Sequence, residues 1–158
     1  MAIYMKFGSV KGAVTTEGFK DWIEVDSLQW GVGRGIGSAA RGPESRESSE
    51  PSISEVTVTK RMCSASTGLL NDALAGELNT TVEIKFTTTT KGKVEEFLSY
   101  ELTDTGVSGY SMSSGGDMPQ ESLSLNFTKV MMTFKGLDPS TKGNPKTVGY
   151  HLGEMHTV

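Results

Sequence analysis

Residues Glu121–Lys135 read ESLSLNFTKVMMTFK. Leu123, Leu125 and Phe127 alternate with Ser122, Ser124 and Asn126, the period-two pattern of a strand with one buried face. The pattern then slips by one. Val130, Met132 and Phe134 continue the apolar set, with Thr128 and Lys129 together at the break. A one-residue slip turns every later side chain to the opposite face unless the backbone bends, and a β-bulge near Thr128 absorbs it at little cost. This pattern implies one long bent strand that serves two sheets or closes a barrel. Trp22–Val32 repeats the device: Ile23 and Val25 share one face, and Leu28, Trp30 and Val32 resume after Asp26 and Ser27. Two bent strands in 158 residues favour a closed or nearly closed barrel over a flat sheet.

The remaining segments supply the other walls. Ile3, Met5 and Phe7 open the chain in a strand, and Gly8 and Gly12 bracket a turn. Ile53, Val56 and Val58 mark another strand. Thr80–Thr90 follows, with Val82, Ile84 and Phe86 inward, then a TKGK hairpin turn built on Gly92. Val94–Thr103 and Val107–Met112 read as two separate strands, and SSGGD at Ser113–Asp117 as a turn. Val148, Tyr150 and Leu152 alternate in a last strand before a polar tail, Gly153–Val158. One helix is expected over Thr67–Gly76, capped by Ser66 or Thr67, ended by Gly76, and docked through Leu70, Ala73 and Leu74 with Leu69 beside them and Asn71 and Asp72 facing away. The fold class is therefore mainly β, a single domain over 1–158 with one short flanking helix.

Composition narrows the function. A formal net charge of -4 with mixed signs gives no electrostatic reason to expect nucleic acid or an anionic membrane as partner. The single cysteine, Cys63, excludes an intramolecular disulfide framework, and the default is folding in a reducing cytoplasm. The start, MAIYMKFGSVKG, lacks the apolar run of a signal-peptide core.

Gly31–Ser52, GVGRGIGSAARGPESRESSEPS, is poor in apolar side chains and longer than the ~12–15 residues at which an unstructured connection becomes unusual. Arg34, Arg41 and Arg46 balance Glu44, Glu47 and Glu50, a pattern suited to pairing with a neighbouring protein surface. It is an extended loop and a candidate contact with another protein surface.

Motifs for chemistry are weak. The loop's glycines fail the dinucleotide fingerprint, since Ile36 occupies the third glycine position, and Gly92-Lys93 is followed by Val94 rather than Ser or Thr. His151 and His156 lack the companions a metal site or a nucleophile triad needs. Glu95 and Glu96 are adjacent, so on a strand they point apart and form no local carboxylate pair. No catalysis, cofactor or metal is expected. Trp22 and Trp30 belong to core or interface.

Six tags resemble the haemolysin-coregulated protein (Hcp) family: Val10-Lys11-Gly12, Leu28-Gln29-Trp30-Gly31, Val58-Thr59-Lys60, the helix leading into Gly76, Val107-Ser108-Gly109-Tyr110-Ser111, and Leu125-Asn126-Phe127-Thr128-Lys129-Val130. Their order holds from the first strand to Gly149-Tyr150. The resemblance implies a compact β-barrel of two sheets with a helix at its side, six copies forming an open ring, and rings stacking into the inner tube of bacterial type VI secretion. It further implies a contractile sheath, spike proteins and small effectors as partners, and export from the cytoplasm without a cleaved signal. Thr57, Thr59, Ser122 and Ser124 make mildly polar second faces suited to a wet lumen or a seam between subunits. Gln29, opposite Leu28 and Trp30, is a candidate for that lumen or seam. The rival expectation is a monomeric barrel that binds a small molecule.

Overall fold

The computed structural model describes residues 1–37, 50–136 and 144–158. Its strands are β1 (Ala2–Phe7), β2 (Ile23–Val25), β3 (Ser27–Gln29), β4 (Val32–Gly33), β5 (Ser52–Ile53), β6 (Val56–Arg61), β7 (Thr80–Thr90), β8 (Lys93–Ser113), β9 (Gln120–Asn126), β10 (Lys129–Phe134), β11 (Lys146–His151) and β12 (His156–Thr157), with helix α1 (Ser66–Ala75) between β6 and β7.

Both predicted slips are places where the chain leaves one sheet for another. β9 pairs with β6 and β8, whereas β10, after the break at Phe127–Thr128, pairs with β8 and β11. β2 pairs with β1, and after Asp26 β3 pairs with β6. The Asp26 N–H donates to Thr59 O at 2.7 Å, so the corner stays hydrogen-bonded. One sheet thus runs β12-β11-β10-β8-β7-β1-β2 and the other β3-β6-β9-β8, joined along β8. Every ladder among these strands is antiparallel.

The expected pair of strands at 94–103 and 107–112 is one strand, β8, of 21 residues. It bends where Asp104 takes φ 50° and bulges between Val107 and Gly109, which lets it serve both sheets without interruption. The β7–β8 turn places Lys91 (φ 50°) and Gly92 (φ 77°) in the left-handed region, the geometry of a two-residue hairpin loop. The expected polar tail folds back: His156–Thr157 pair with Tyr150 and His151 as β12.

Met5, Phe7, Ile23, Val25, Val56, Val58, Val82, Ile84, Leu102, Leu123 and Leu125 fill the space between the sheets. Each fully buried aliphatic side chain here contributes roughly 1.5–3 kcal/mol. Past the bend the apolar set weakens: Val130 is buried, Met132 half-buried, and Phe134 45% exposed.

The helix docks on a face rotated from the expected one, keeping Ala73 against the core but not Leu70 or Leu74. Leu69 is buried, while Leu70 and Leu74 are 39% and 77% exposed. Asp72, expected to face away, turns inward, and its Oδ2 accepts the Val107 N–H at 2.8 Å. Ala65 occupies the N-cap without a side-chain bond, because the Ser66 hydroxyl is used in the interior. These anchors fix the rotation of the helix more strongly than its leucines do. Gly76 does end it, in an extended conformation, where a Cβ would lie 2.6 Å from Asp72 O.

Candidate functional site

The two ends of the 31–52 segment meet in a small ladder in which Val32 pairs with Ile53 and Gly33 with Ser52. Ser54 locks its base: its N–H donates to Gly31 O at 2.9 Å, and its Oγ accepts the Gly31 N–H at 2.8 Å. Arg34 and Glu50 are exposed just beyond this base. Arg41, Glu44, Arg46 and Glu47 lie outside the described residues.

Gln29 is exposed on the outer face of β3, opposite Thr57 of β6. The pairings extend it into a patch that sequence alone does not assemble. One row crosses the second sheet as Ser27, Thr59, Ser122 and Ser111, and the next as Gln29, Thr57, Ser124 and Gly109. Neither row holds an ionisable side chain. The outer face of the first sheet differs, with Lys6, Glu83 and Glu101 in one row and Glu24, Tyr4 and Lys85 in the next.

Between the loop base and the β10–β11 ladder lies a groove of about 240 Å³, lined by Trp30, Val32, Pro51, Ile53, Met132, Val148 and Tyr150 among others. Trp30 meets Tyr100 edge-on at 5.6 Å between ring centroids, which sets the groove floor. Val32 and Val148 are 60% and 50% exposed. Trp22, by contrast, lies beneath the Lys85 ammonium and against Phe19.

A buried polar cluster escapes the sequence reading. Lys60 Nζ lies 2.6 Å from Glu121 Oε1, and both side chains are shut off from solvent. The Ser66 hydroxyl donates to the same oxygen at 2.6 Å, and the Tyr110 hydroxyl to Oε2. Burial pushes the Glu121 carboxyl up, but the hydrogen bonds from Lys60, Ser66 and Tyr110 outweigh it and hold the carboxyl below its ordinary value. The bond to Glu121 and burial push the Tyr110 phenol up to about 12. The signal was present in the alternation: Lys60 shares the inward phase of Val56 and Val58, and Glu121 that of Leu123 and Leu125. Sealed in this way, the cluster ties the start of α1 to β6 and β9 and offers nothing to a substrate.

Glu96 is also more than surface charge, because Lys135 and Lys85 both pair with it. Burial pushes its carboxyl up, and the bond from Lys135 with the charge of Lys85 brings it below the ordinary value. His151 and His156 sit opposite each other across β11–β12, with ring centroids 6.0 Å apart. Glu154 engages both, donating its N–H to His151 Nδ1 at 3.1 Å and pairing its carboxylate with His156 Nε2. Among the described residues no group of three His, Cys, Asp or Glu side chains is placed to hold a metal. Nor is any helix among them long and apolar enough to cross a membrane.

Exposed apolar side chains and two uncharged rows across one sheet make a surface suited to contact with other proteins. The chain belongs to the family of type VI secretion system effectors called Hcp, whose model matches residues 4–134. It is thus a type VI secretion tube/effector protein of a ring-forming family whose members are structural. A solved type six secretion system protein has the same fold with a TM-score of 0.87, 28% identity and 99% of each chain covered. Hcp1 from Salmonella typhimurium gives 0.77 at 19% identity over 99% of both chains. A type VI secretion system effector from Yersinia pestis gives 0.72 at 18% identity, over 94% of this chain and 98% of that one. No curated protein sequence matches the chain.

Proposed function

We propose that this chain is the subunit of six-membered rings that stack into a type VI secretion inner tube and carry small effector proteins in their lumen. The contractile sheath and spike are its further partners, and it is made in the bacterial cytoplasm and exported without a cleaved signal. The observation that carries the lumen reading is the pair of uncharged rows across the second sheet. Along these rows, hydroxyls and one amide exchange hydrogen bonds with water at little net free-energy change, so a passing polypeptide is held there neither by fixed charge nor by apolar contact, and Arg61 in the adjoining row is the charge at their margin. Gln29, Thr57 and Ser124 then face the opening, and the loop carrying Arg34, Arg41, Glu44, Arg46, Glu47 and Glu50 reaches the adjacent ring or subunit.

The monomeric ligand-binding barrel is not favoured. Its interior position is filled by packed side chains such as Met5, Ile84, Leu102 and Leu123. Light scattering after size exclusion tests the ring: particles of six times 16.9 kDa, annular in negative stain, are expected. A chain that remains at 16.9 kDa at high concentration overturns the reading. For the lumen, Ser124→Arg should leave ring mass unchanged and reduce effector retention in co-purification; equal retention would place the lumen wall elsewhere.

A further inference from the structure

A closed ring of identical subunits joined head to tail needs two unlike, complementary patches on every copy. Among the exposed apolar side chains of the described residues, two groups stand on unlike elements. The first is the outer side of α1, where Leu70 and Leu74 stand one turn apart and Leu78 follows, 58% exposed. A solvent-facing helix ordinarily carries charge on its outer side. This one has a single charged residue, Asp72, and it is turned inward onto the Val107 N–H. Its exposed residues are therefore Thr67, Leu70, Asn71, Leu74 and Ala75, an uncharged surface suited to being covered. The second patch is the groove of Trp30, Val32, Ile53, Met132 and Val148, formed by other elements and lined almost wholly by apolar atoms.

We infer that the Leu70–Leu74 side of α1 in one subunit, with Leu78 just beyond the helix end, docks into the Trp30–Val148 groove of the next, and that this contact closes the ring. The inference rests on the ring reading and specifies the surfaces that build it. An aliphatic helix side laid in an apolar groove is a recurring recognition mode, and the two patches match in character: the groove lining holds no charged side chain, and beside the helix leucines the exposed carboxylate of Glu77 follows the helix end, where Asn79 donates to it. The buried Lys60–Glu121–Ser66 cluster then acquires a purpose, since it fixes the start of the helix and so the direction in which its leucines project.

The test uses Leu74→Glu, which spoils the helix patch, and Val148→Glu, which spoils the groove; both positions are exposed. Each variant alone should lose rings and run at 16.9 kDa. Mixed in equal amounts, at the concentration where the unaltered chain forms rings, they should give particles of twice 16.9 kDa, because the intact helix of one meets the intact groove of the other. Rings persisting in either variant would overturn the assignment. So would two solitary variants that give no dimer on mixing. If the unaltered chain never forms rings, the ring reading fails instead, which is a separate result. Should a glutamate variant lose its β-sheet circular dichroism, Leu74→Asn and Val148→Thr replace the pair with the same outcomes.

Discussion

Lys60→Met should destabilise the fold severely. The substitution keeps the length of the side chain but removes the ammonium 2.6 Å from Glu121. Glu121, 1% exposed, then keeps only the Ser66 and Tyr110 hydroxyls as partners. Breaking a buried pair from one side costs about 3–5 kcal/mol, a large share of the ~5–15 kcal/mol that holds a domain folded. With a urea slope of roughly 2 kcal/mol/M, the unfolding midpoint should fall by about 1.5–2.5 M. Lys60→Met combined with Glu121→Leu should recover part of the loss, because no charge is then left buried. The Tyr110 hydroxyl loses its acceptor in that double variant, at about 1–3 kcal/mol, while Ser66 still receives the Cys63 N–H at 3.0 Å. The comparison is made at matched protein concentration, since assembly adds to apparent stability. The pH dependence follows from the depressed Glu121 carboxyl: its contribution is present above the ordinary glutamate value of ~4.3 and is lost as pH falls through the lower folded value. The gap between the unaltered chain and Lys60→Met should therefore narrow in acid. A single variant within about 0.5 M of the unaltered midpoint, or a gap constant from neutral to acid pH, would refute the reasoning.

Tyr110, pushed up to about 12 by Glu121, supplies the opposite sign: its contribution is complete below the ordinary tyrosine value of ~10 and lost as pH rises towards the folded value. Phenolate absorbance should show one late-titrating tyrosine, absent in Tyr110→Phe. Lys91→Asn, at φ 50° before Gly92, should stabilise by a few tenths of a kcal/mol to about 1 kcal/mol, because Asn adopts that conformation more readily than Lys; a lower melting temperature would count against the turn geometry. Gly12→Ala should cost at least about 1–3 kcal/mol in urea unfolding, because the new Cβ would meet Trp22 O at 2.2 Å. Removing residues 39–49 should leave rings intact but impair their stacking in electron micrographs; unchanged tubes would show that the loop takes no part.

Much of this architecture is legible along the chain because strand alternation is local. The slips at Asp26 and Thr128 announce the two corners, since a period-two pattern changes phase only where the backbone turns its faces over. The alternation also contained Lys60 and Glu121 on inward positions, although a charge at an apolar phase gains meaning only when its partner is seen across the ladder. Tertiary structure alone decided the rest. Helical spacing offered Leu70 and Leu74 as the docking side, but the pull of Ser66 on Glu121 and of the Val107 N–H on Asp72 rotated them into solvent. β8 hides its continuity because a bulge and one left-handed residue keep a strand paired through a break in its pattern. The uncharged rows and the apolar groove join residues far apart in sequence, which register brings together and no local period can.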